Sequence, residues 1–249
     1  MKKDNLILAV QSKGRLSEQT FDYFTRHGLA VSGGADREYS ARIKGLPGVE
    51  IMFLPSGEIP LKLEAGEVHL GVTGEDLMRE KCVQFDASLM LLKQLGFGRA
   101  DLVVAVPRAW IDVDSMADLD EVSASFHRLH GRRLRIATKY LSMTRDFFSR
   151  HGVSDYRIVE STGATEGAPA SGAAEAIADI TSTGASLRAN HLKILDDGLI
   201  LASQATLAAS LRARWTPGAR KSLKQIMDKL NGTEKSAQYD EFIRRLKKN

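Results

Sequence analysis

Short apolar runs alternate with amphipathic stretches over the first 210 residues, and the connections between them are short. LILAVQ (6–11) reads as a strand, and Ser17 to His27 as a helix with Ser17 at its N-cap and Gly28 just past its end. VEIMFLP (49–55) reads as a strand, Ile59 to Ala65 as a short helix stopped by Gly66, VHLGVTG (68–74) as a strand, and EDLMREK (75–81) as the start of a helix. DLVVAVP (101–107), LRIATKY (134–140) and YRIVES (156–161) are further strands, with a helix over SMTRDFFSRHG (142–152) capped by Ser142. APASGAAEAIADI (168–180) reads as a small helix running into a short strand, and residues 192–210 as strand-like segments. This alternation restricts the chain to an α/β fold, a parallel or mixed sheet flanked by helices. Ligands of such sheets sit at the carboxyl ends of the strands. Four polar stretches fall at such ends: SKGR, TGED, TKYLS and STGAS.

The 249 residues make one large domain or two small ones. No stretch approaches the roughly 20 apolar residues of a membrane span. The run from Leu6 to Val10 is too short for a secretion signal, so the expected location is cytoplasmic. Cys82 stands alone, which excludes an internal disulfide and a cysteine-based zinc cluster. It reads as a passive small residue near a helix end. HExxH, GxSxG and GxxxxGK[ST] are all missing, the last excluding a Walker-type ATPase. The net charge is +4, but from Arg212 onward eleven Lys/Arg stand against four Asp/Glu. Such a tail suits nucleic acid or an acidic protein surface. No aromatic residues are interleaved as stacking platforms, so the expectation is a solvated amphipathic helix or a protein contact, with neither nucleic acid nor membrane as partner.

The segment ADITSTGASLRAN (178–190) combines an acid, hydroxyls and a glycine just after an apolar run. Ser182, Thr183 and Ser186 can donate to phosphate oxygens, Gly184 lets the backbone come close, and amides of a following helix point at the charge. The same residues also suit a plain helix cap. Asp179 would repel phosphate but suits sugar hydroxyls or a bound magnesium. Phosphate and diol together suggest a ribose phosphate. STGATEGAP (161–169) is a second hydroxyl- and glycine-rich turn, where Glu166 is the only charge and suits the dipole of a following helix. QSKGR (11–15) places Lys13 and Arg15 at a strand end, either to hold polyphosphate or as solvated charges.

QSKGRL, GVTGEDL, RIATKY followed by TRDFF, TEGAP and ADITSTGASLRAN occur in that order. Together, over about residues 5–210, they resemble the ATP phosphoribosyltransferase family, which opens histidine biosynthesis. The resemblance implies a two-lobed, periplasmic-binding-protein-like α/β fold with a ligand cleft between the lobes. Lobe one is then 1–95 plus 190–210, lobe two, which binds phosphoribosyl pyrophosphate (PRPP), is 96–189, and 211–249 is a helical tail. The implied substrates are ATP and PRPP with Mg²⁺, and adenine N1 displaces pyrophosphate from the anomeric carbon. By that resemblance Ser182, Thr183, Gly184, Ala185 and Ser186 hold the 5′-phosphate, and Asp179 and Glu166 face the ribose hydroxyls. Lys13, Arg15 and Arg37 meet ATP or pyrophosphate, and Gly74, Glu75 and Asp76 close the opposite wall. Pro55 departs from the family, which carries a basic residue there.

Pro217-Gly218 breaks the chain, after which Leu223, Ile226, Met227 and Leu230 mark one helical face, and Tyr239, Phe242, Ile243 and Leu246 another. These read as docking helices whose apolar faces are spare surface. The resemblance is to the family's short form, which works with a regulatory subunit similar to histidyl-tRNA synthetase, as a homodimer within a hetero-oligomer. The rival reading is a non-catalytic small-ligand-binding module of the same fold.

Overall fold

The structure is a computed structural model that describes residues 4–32, 40–232, 234 and 236–248. The chain folds as two compact units, Met1–Gly98 with Gln204–Asn249, and Arg99–Ser203. In order, the elements are β1 (Leu6–Gln11), α1 (Arg15–Arg26), β2 (Val31–Ser32), β3 (Ser40–Ile43), β4 (Leu46–Leu54), α2 (Glu58–Glu64), β5 (Leu70–Gly74), α3 (Glu75–Lys81), α4 (Phe85–Ser88) and β6 (Leu89–Gln94). β7 (Ala100–Pro107), α5 (Met116–His130), β8 (Leu134–Thr138), α6 (Leu141–Arg150), β9 (Tyr156–Glu160), a 3-10 turn (Thr165–Gly167), β10 (Ala176–Thr181), α7 (Ala185–Ala189) and β11 (Leu192–Ser203) follow. β12 (Ala205–Ser210), α8 (Pro217–Asn231) and α9 (Ala237–Lys248) complete the chain.

In unit 1 the sheet order is β2-β3-β4-β1-β5-β12-β6, with β1 parallel to both β4 and β5. Alternate residues of β1 enter two cores, as a strand covered on both faces requires. Leu6, Leu8 and Val10 pack with Phe24, Leu223 and Phe242, while Ile7 and Ala9 pack with Ile59, Leu63 and Met78. The apolar faces of α8 and α9 are therefore not spare. Leu223, Ile226, Met227, Leu230, Phe242 and Leu246 are buried in the first core, each contributing about 1.5–3 kcal/mol. Nor does Pro217 break the chain. It occupies the first turn of α8, where its missing N–H costs nothing, and Thr216 Oγ1 caps the helix by accepting from Ala219 N at 3.1 Å. His69 ties this region to the sheet. Its Nδ1 accepts from Ile7 N at 3.1 Å, leaving Nε2 to donate to the Arg214 carbonyl at 3.1 Å, and its ring meets Trp215 edge-on.

Unit 2 has the order β11-β7-β10-β8-β9, in which β8, β9 and β10 are parallel and β7 runs against β10. β11 pairs with β7 from Leu192 to Ser203, so the chain returns to unit 1 at Gln204, later than the expected residue 190. α5 and α6 cover one face through Met116, Leu119, Phe147 and Phe148, and α7 with the segment before β10 covers the other through Leu187, Ala168 and Ala174.

Three local expectations change. α1 starts at Arg15 behind Gly14, and Ser17 donates instead to the Gln11 carbonyl at 2.7 Å. α6 starts after Tyr140, so Ser142 is not its cap. The segment 168–175 leading into β10 is turns and not a helix, since the chain bends at Gly172 (φ +69) and Arg135 holds the Gly172 carbonyl at 2.8 Å.

Candidate active site

The carboxyl ends of β8, β9 and β10 share one edge of the unit 2 sheet, and β7 begins there. At that edge the loop after β10 encloses an open hollow of about 380 Å³ lined by Ala100, Ile180, Thr181, Ser182, Thr183, Ala185 and Ser186. Gly184 is buried and left-handed (φ +69), a conformation costly to any side-chain-bearing residue. Thr181 Oγ1 accepts from Gly184 N at 2.9 Å and Thr183 Oγ1 from Ala185 N at 3.4 Å. A hydroxyl that accepts from an amide keeps its own proton for a ligand. Ser182 is used otherwise, since its Oγ donates to the Arg99 carbonyl at 2.9 Å. Ser186 is exposed on α7. Thr181 was not among the expected residues. Its position as the last residue of the strand, three before the glycine, is the signal that marks it.

Asp179 lies two residues before the end of β10, half-buried, its Oδ1 accepting from Ile180 N at 2.9 Å. Burial pushes its carboxyl above the ordinary value, and the nearby charge of Glu166 adds to this, against pulls from the Ile180 amide, Lys139 and the Thr165 hydroxyl. Glu166 stands on the 3-10 turn, so the two expected carboxylates act on one another.

The unit 1 residues gather at the carboxyl ends of the neighbouring parallel strands β1 and β5. Lys13 and Arg15 are exposed, and neither has an ion-pair partner among the described residues. Glu75 and Asp76 open α3 and are buried. Glu75 is already committed: Arg79 Nε donates to its Oε1 at 2.8 Å, and Arg79 lies over the Phe85 ring at 4.6 Å. A Cβ at Gly74 would meet the Asp76 carboxylate, which would have to shift. Pro55 follows β4, its carbonyl accepting from Glu58 N at 2.9 Å to turn the chain into α2. Arg37 lies outside the described residues. Cys82 is buried, donates to the Pro60 carbonyl at 3.4 Å, and burial pushes its thiol up to about 12, which makes it inert.

The ATP phosphoribosyltransferase (HisG) family profile matches residues 55–232. An ATP phosphoribosyltransferase of Afipia carboxidovorans is 56% identical over 237 residues, 94% of this chain and 73% of that protein. One from Caulobacter vibrioides is 56% identical over 224 residues, 89% of this chain and 70% of that protein. The chain belongs to the ATP phosphoribosyltransferase family. Its activity is pentosyl transfer in histidine biosynthesis. Among solved structures, the ATP phosphoribosyl transferase (HisG:HisZ) complex of Thermotoga maritima superposes with a TM-score of 0.68 at 23% identity, covering 91% of this chain and 97% of that one. The alkanesulfonate-binding protein SsuA of Xanthomonas axonopodis pv. citri, bound to MOPS, gives 0.51 at 17% identity, covering 100% and 80%. These two likenesses are of fold, and they agree with the binding-protein-like α/β architecture expected for an ATP phosphoribosyltransferase. No helix among the described residues is long and apolar enough to cross a membrane.

Proposed function

We propose that unit 2 holds PRPP and that the strand ends of unit 1 supply positive charge for ATP and the departing pyrophosphate. The observation that carries this reading is the hollow after β10, where a buried left-handed glycine, two amide-bound threonine hydroxyls and the first amides of α7 adjoin Asp179. The Thr181, Thr183 and Ser186 hydroxyls and the Ser186 amide, beside Gly184 and Ala185, take the 5′-phosphate. Asp179 and Glu166 accept from the ribose hydroxyls. Adenine N1 brings its own lone pair, so the N1–C1′ bond forms as the C1′–O bond breaks, and pyrophosphate leaves with the electron pair. No general base is required, and the protein positions the two reactants and neutralises the leaving group. Lys13, Arg15 and Arg37 take that second role.

Among the described residues no group of three or more His, Cys, Asp or Glu gathers to hold a metal. Mg²⁺ bound to the pyrophosphate of PRPP would spread the negative charge of the leaving group, and no residue of this chain is assigned to hold it. ATP as substrate places the reaction in the cytoplasm. Pyrophosphate release that requires both ATP and PRPP, measured on the purified chain, tests the reading. Tight PRPP binding without any release of pyrophosphate would favour the non-catalytic module.

Regulation by a separate subunit completes the proposal, motivated by the HisG:HisZ complex of the Thermotoga neighbour. A homodimer that joins such a subunit should show in light scattering as two masses, one without and one with the partner. Histidine should inhibit only the mixture. Saturable inhibition of the chain alone, competitive with neither substrate, would place the regulatory site within these residues instead.

A further inference from the structure

Asp179 and Glu166 bring two carboxylates to one diol, and the charge of Glu166 opposes the ionisation of Asp179. The fold supplies a counter-charge that the motif reading passed over. β8 and β10 run parallel with Ala178 level with Thr138, so Asp179 is level with Lys139, the first residue beyond β8. Lys139 is exposed, and its ammonium acts on the Asp179 carboxylate. From the other side of β10, Val103 of β7 stands opposite Asp179, and the nearest charged residue in register on β7 is Asp101, opposite Thr181. The 3-10 turn adds Glu166 and the Thr165 hydroxyl. α7, which also packs against β10, carries Arg188. Of the cations on these elements, Lys139 is the one that acts on Asp179, against burial and the charge of Glu166.

We propose that Lys139 is a positioning residue of the ribose site, the cation that keeps Asp179, beside Glu166, an ionised acceptor for the PRPP diol. This rests on the reading of Asp179 as a ribose contact. Without Lys139, two uncompensated carboxylates share the strand ends. Asp179 then takes up a proton at a higher pH, and a protonated acid offers the diol one acceptor fewer.

The test is steady-state pyrophosphate release at saturating ATP, with PRPP varied from pH 6 to 9, for the wild type, Lys139→Met, Lys139→Arg and Asp179→Asn. Lys139→Met should raise the KM for PRPP about tenfold near pH 6.5, the effect expected of one lost opposite charge, with kcat changed less than about twofold. The pH below which KM climbs should move upward, and Lys139→Arg should restore both. A Lys139→Met enzyme with an unchanged KM and pH profile, while Asp179→Asn still loses PRPP binding, would overturn the role of Lys139 alone. Unchanged PRPP binding in Asp179→Asn would overturn the ribose reading itself. A loss in Lys139→Met confined to kcat would also overturn the proposal, since it would make Lys139 a contact of the reacting groups.

Discussion

The strand-end loop of unit 2 is built from backbone and short hydroxyls, whereas the corresponding end of unit 1 carries long cations on an exposed turn. In unit 2, three hydrogen bonds tie Thr181, Ser182 and Thr183 to the backbone around a buried Gly184, so the loop is shaped before any ligand comes. In unit 1, Lys13 and Arg15 flank Gly14 (φ +92) and point to solvent. Each has up to about 2 kcal/mol of rotamer entropy to lose when a ligand fixes it. Preorganised amides recognise the shape of a phosphate at little ordering cost, and flexible cations contribute where negative charge develops. In the proposed reaction this contrast gives the unit 2 loop the binding role and the unit 1 cations the role in turnover.

The sharpest way to break that division is Gly184→Val. A Cβ at Gly184 meets only the tip of Arg188, which can swing aside, so the damage comes from forcing a β-branched residue into φ +69. The loop should abandon its cradle while the unit stays folded. PRPP affinity by calorimetry should fall about a thousandfold, roughly 4 kcal/mol, the upper range for losing preorganised donors. Unchanged affinity would mean that the hollow is not the phosphate site.

Arg15→Ala tests the other half. If the cation neutralises polyphosphate during the reaction, kcat/KM should drop by roughly 2–4 kcal/mol, mostly in kcat. Wild-type turnover would leave Arg15 a solvated charge, and a loss confined to the KM for PRPP would erase the distinction between the units.

Legibility in the sequence follows the same line. The strands could be read because apolar runs bounded by glycine and proline have few other uses, and the helix expected to start at EDLMREK is α3, which begins at Glu75. The errors fall where a tertiary bond overrode a local preference. Ser17 looks like a cap, but its hydroxyl is taken by the Gln11 carbonyl. The alanines from Ala168 to Ala174 favour a helix, yet the Glu175–Arg135 clamp bends that segment into turns. The apolar runs do not mark α5, although Ser115 and Asp118 form a capping box at its start. The glycine–hydroxyl loop was visible as a motif. Lys139 was not assigned to the site, because its neighbour Asp179 is 40 residues away in sequence and adjacent only through strand register.

That clamp offers a smaller, sharper test. Glu175 precedes β10, at the end opposite the phosphate loop, and accepts from Arg135 Nη2 at 2.7 Å, Arg135 N at 2.7 Å and Arg132 Nη2 at 3.0 Å. Burial alone would raise its carboxyl, but the Arg135 and Arg132 hydrogen bonds prevail and hold it at about 2. Glu175→Gln should cost about 2 kcal/mol at pH 7, the range for charge-assisted bonds. Because the folded value is depressed, this stabilisation is present above the usual 4.5 and disappears as the pH falls toward 2. The gap in Tm between wild type and variant should therefore be constant from pH 7 to 5 and close below that. If the unit 2 loop owes its shape to β10, the KM for PRPP should also rise severalfold. An unaltered KM in a destabilised variant would show that the loop is held locally.

The smallest expected effect belongs to unit 1 and asks whether its sheet is fixed even where its cations are free. His69 accepts from the Ile7 amide through Nδ1 and donates to Arg214 through Nε2, so only the neutral ring satisfies both bonds. Burial lowers its pKa, with the Arg214 carbonyl opposing. The folded state thus prefers the unprotonated form. Its contribution is complete above the ordinary value near 6.5 and is lost as the pH falls through that value toward the lowered one, where the loss levels off. Protonation strips Ile7 N of its acceptor, at a cost of about 1 kcal/mol. Thermal melts at pH 8 and pH 5 should show a drop in Tm for the wild type that shrinks in His69→Phe, which has nothing to titrate there. Equal drops in both proteins would shift the acid sensitivity to other groups and leave His69 as packing against Trp215. A smaller drop in the variant, with the KM for ATP unchanged in both, would show that β1 and β5 are held rigidly beneath Lys13 and Arg15, and that the freedom of unit 1 resides in its side chains and not in its sheet.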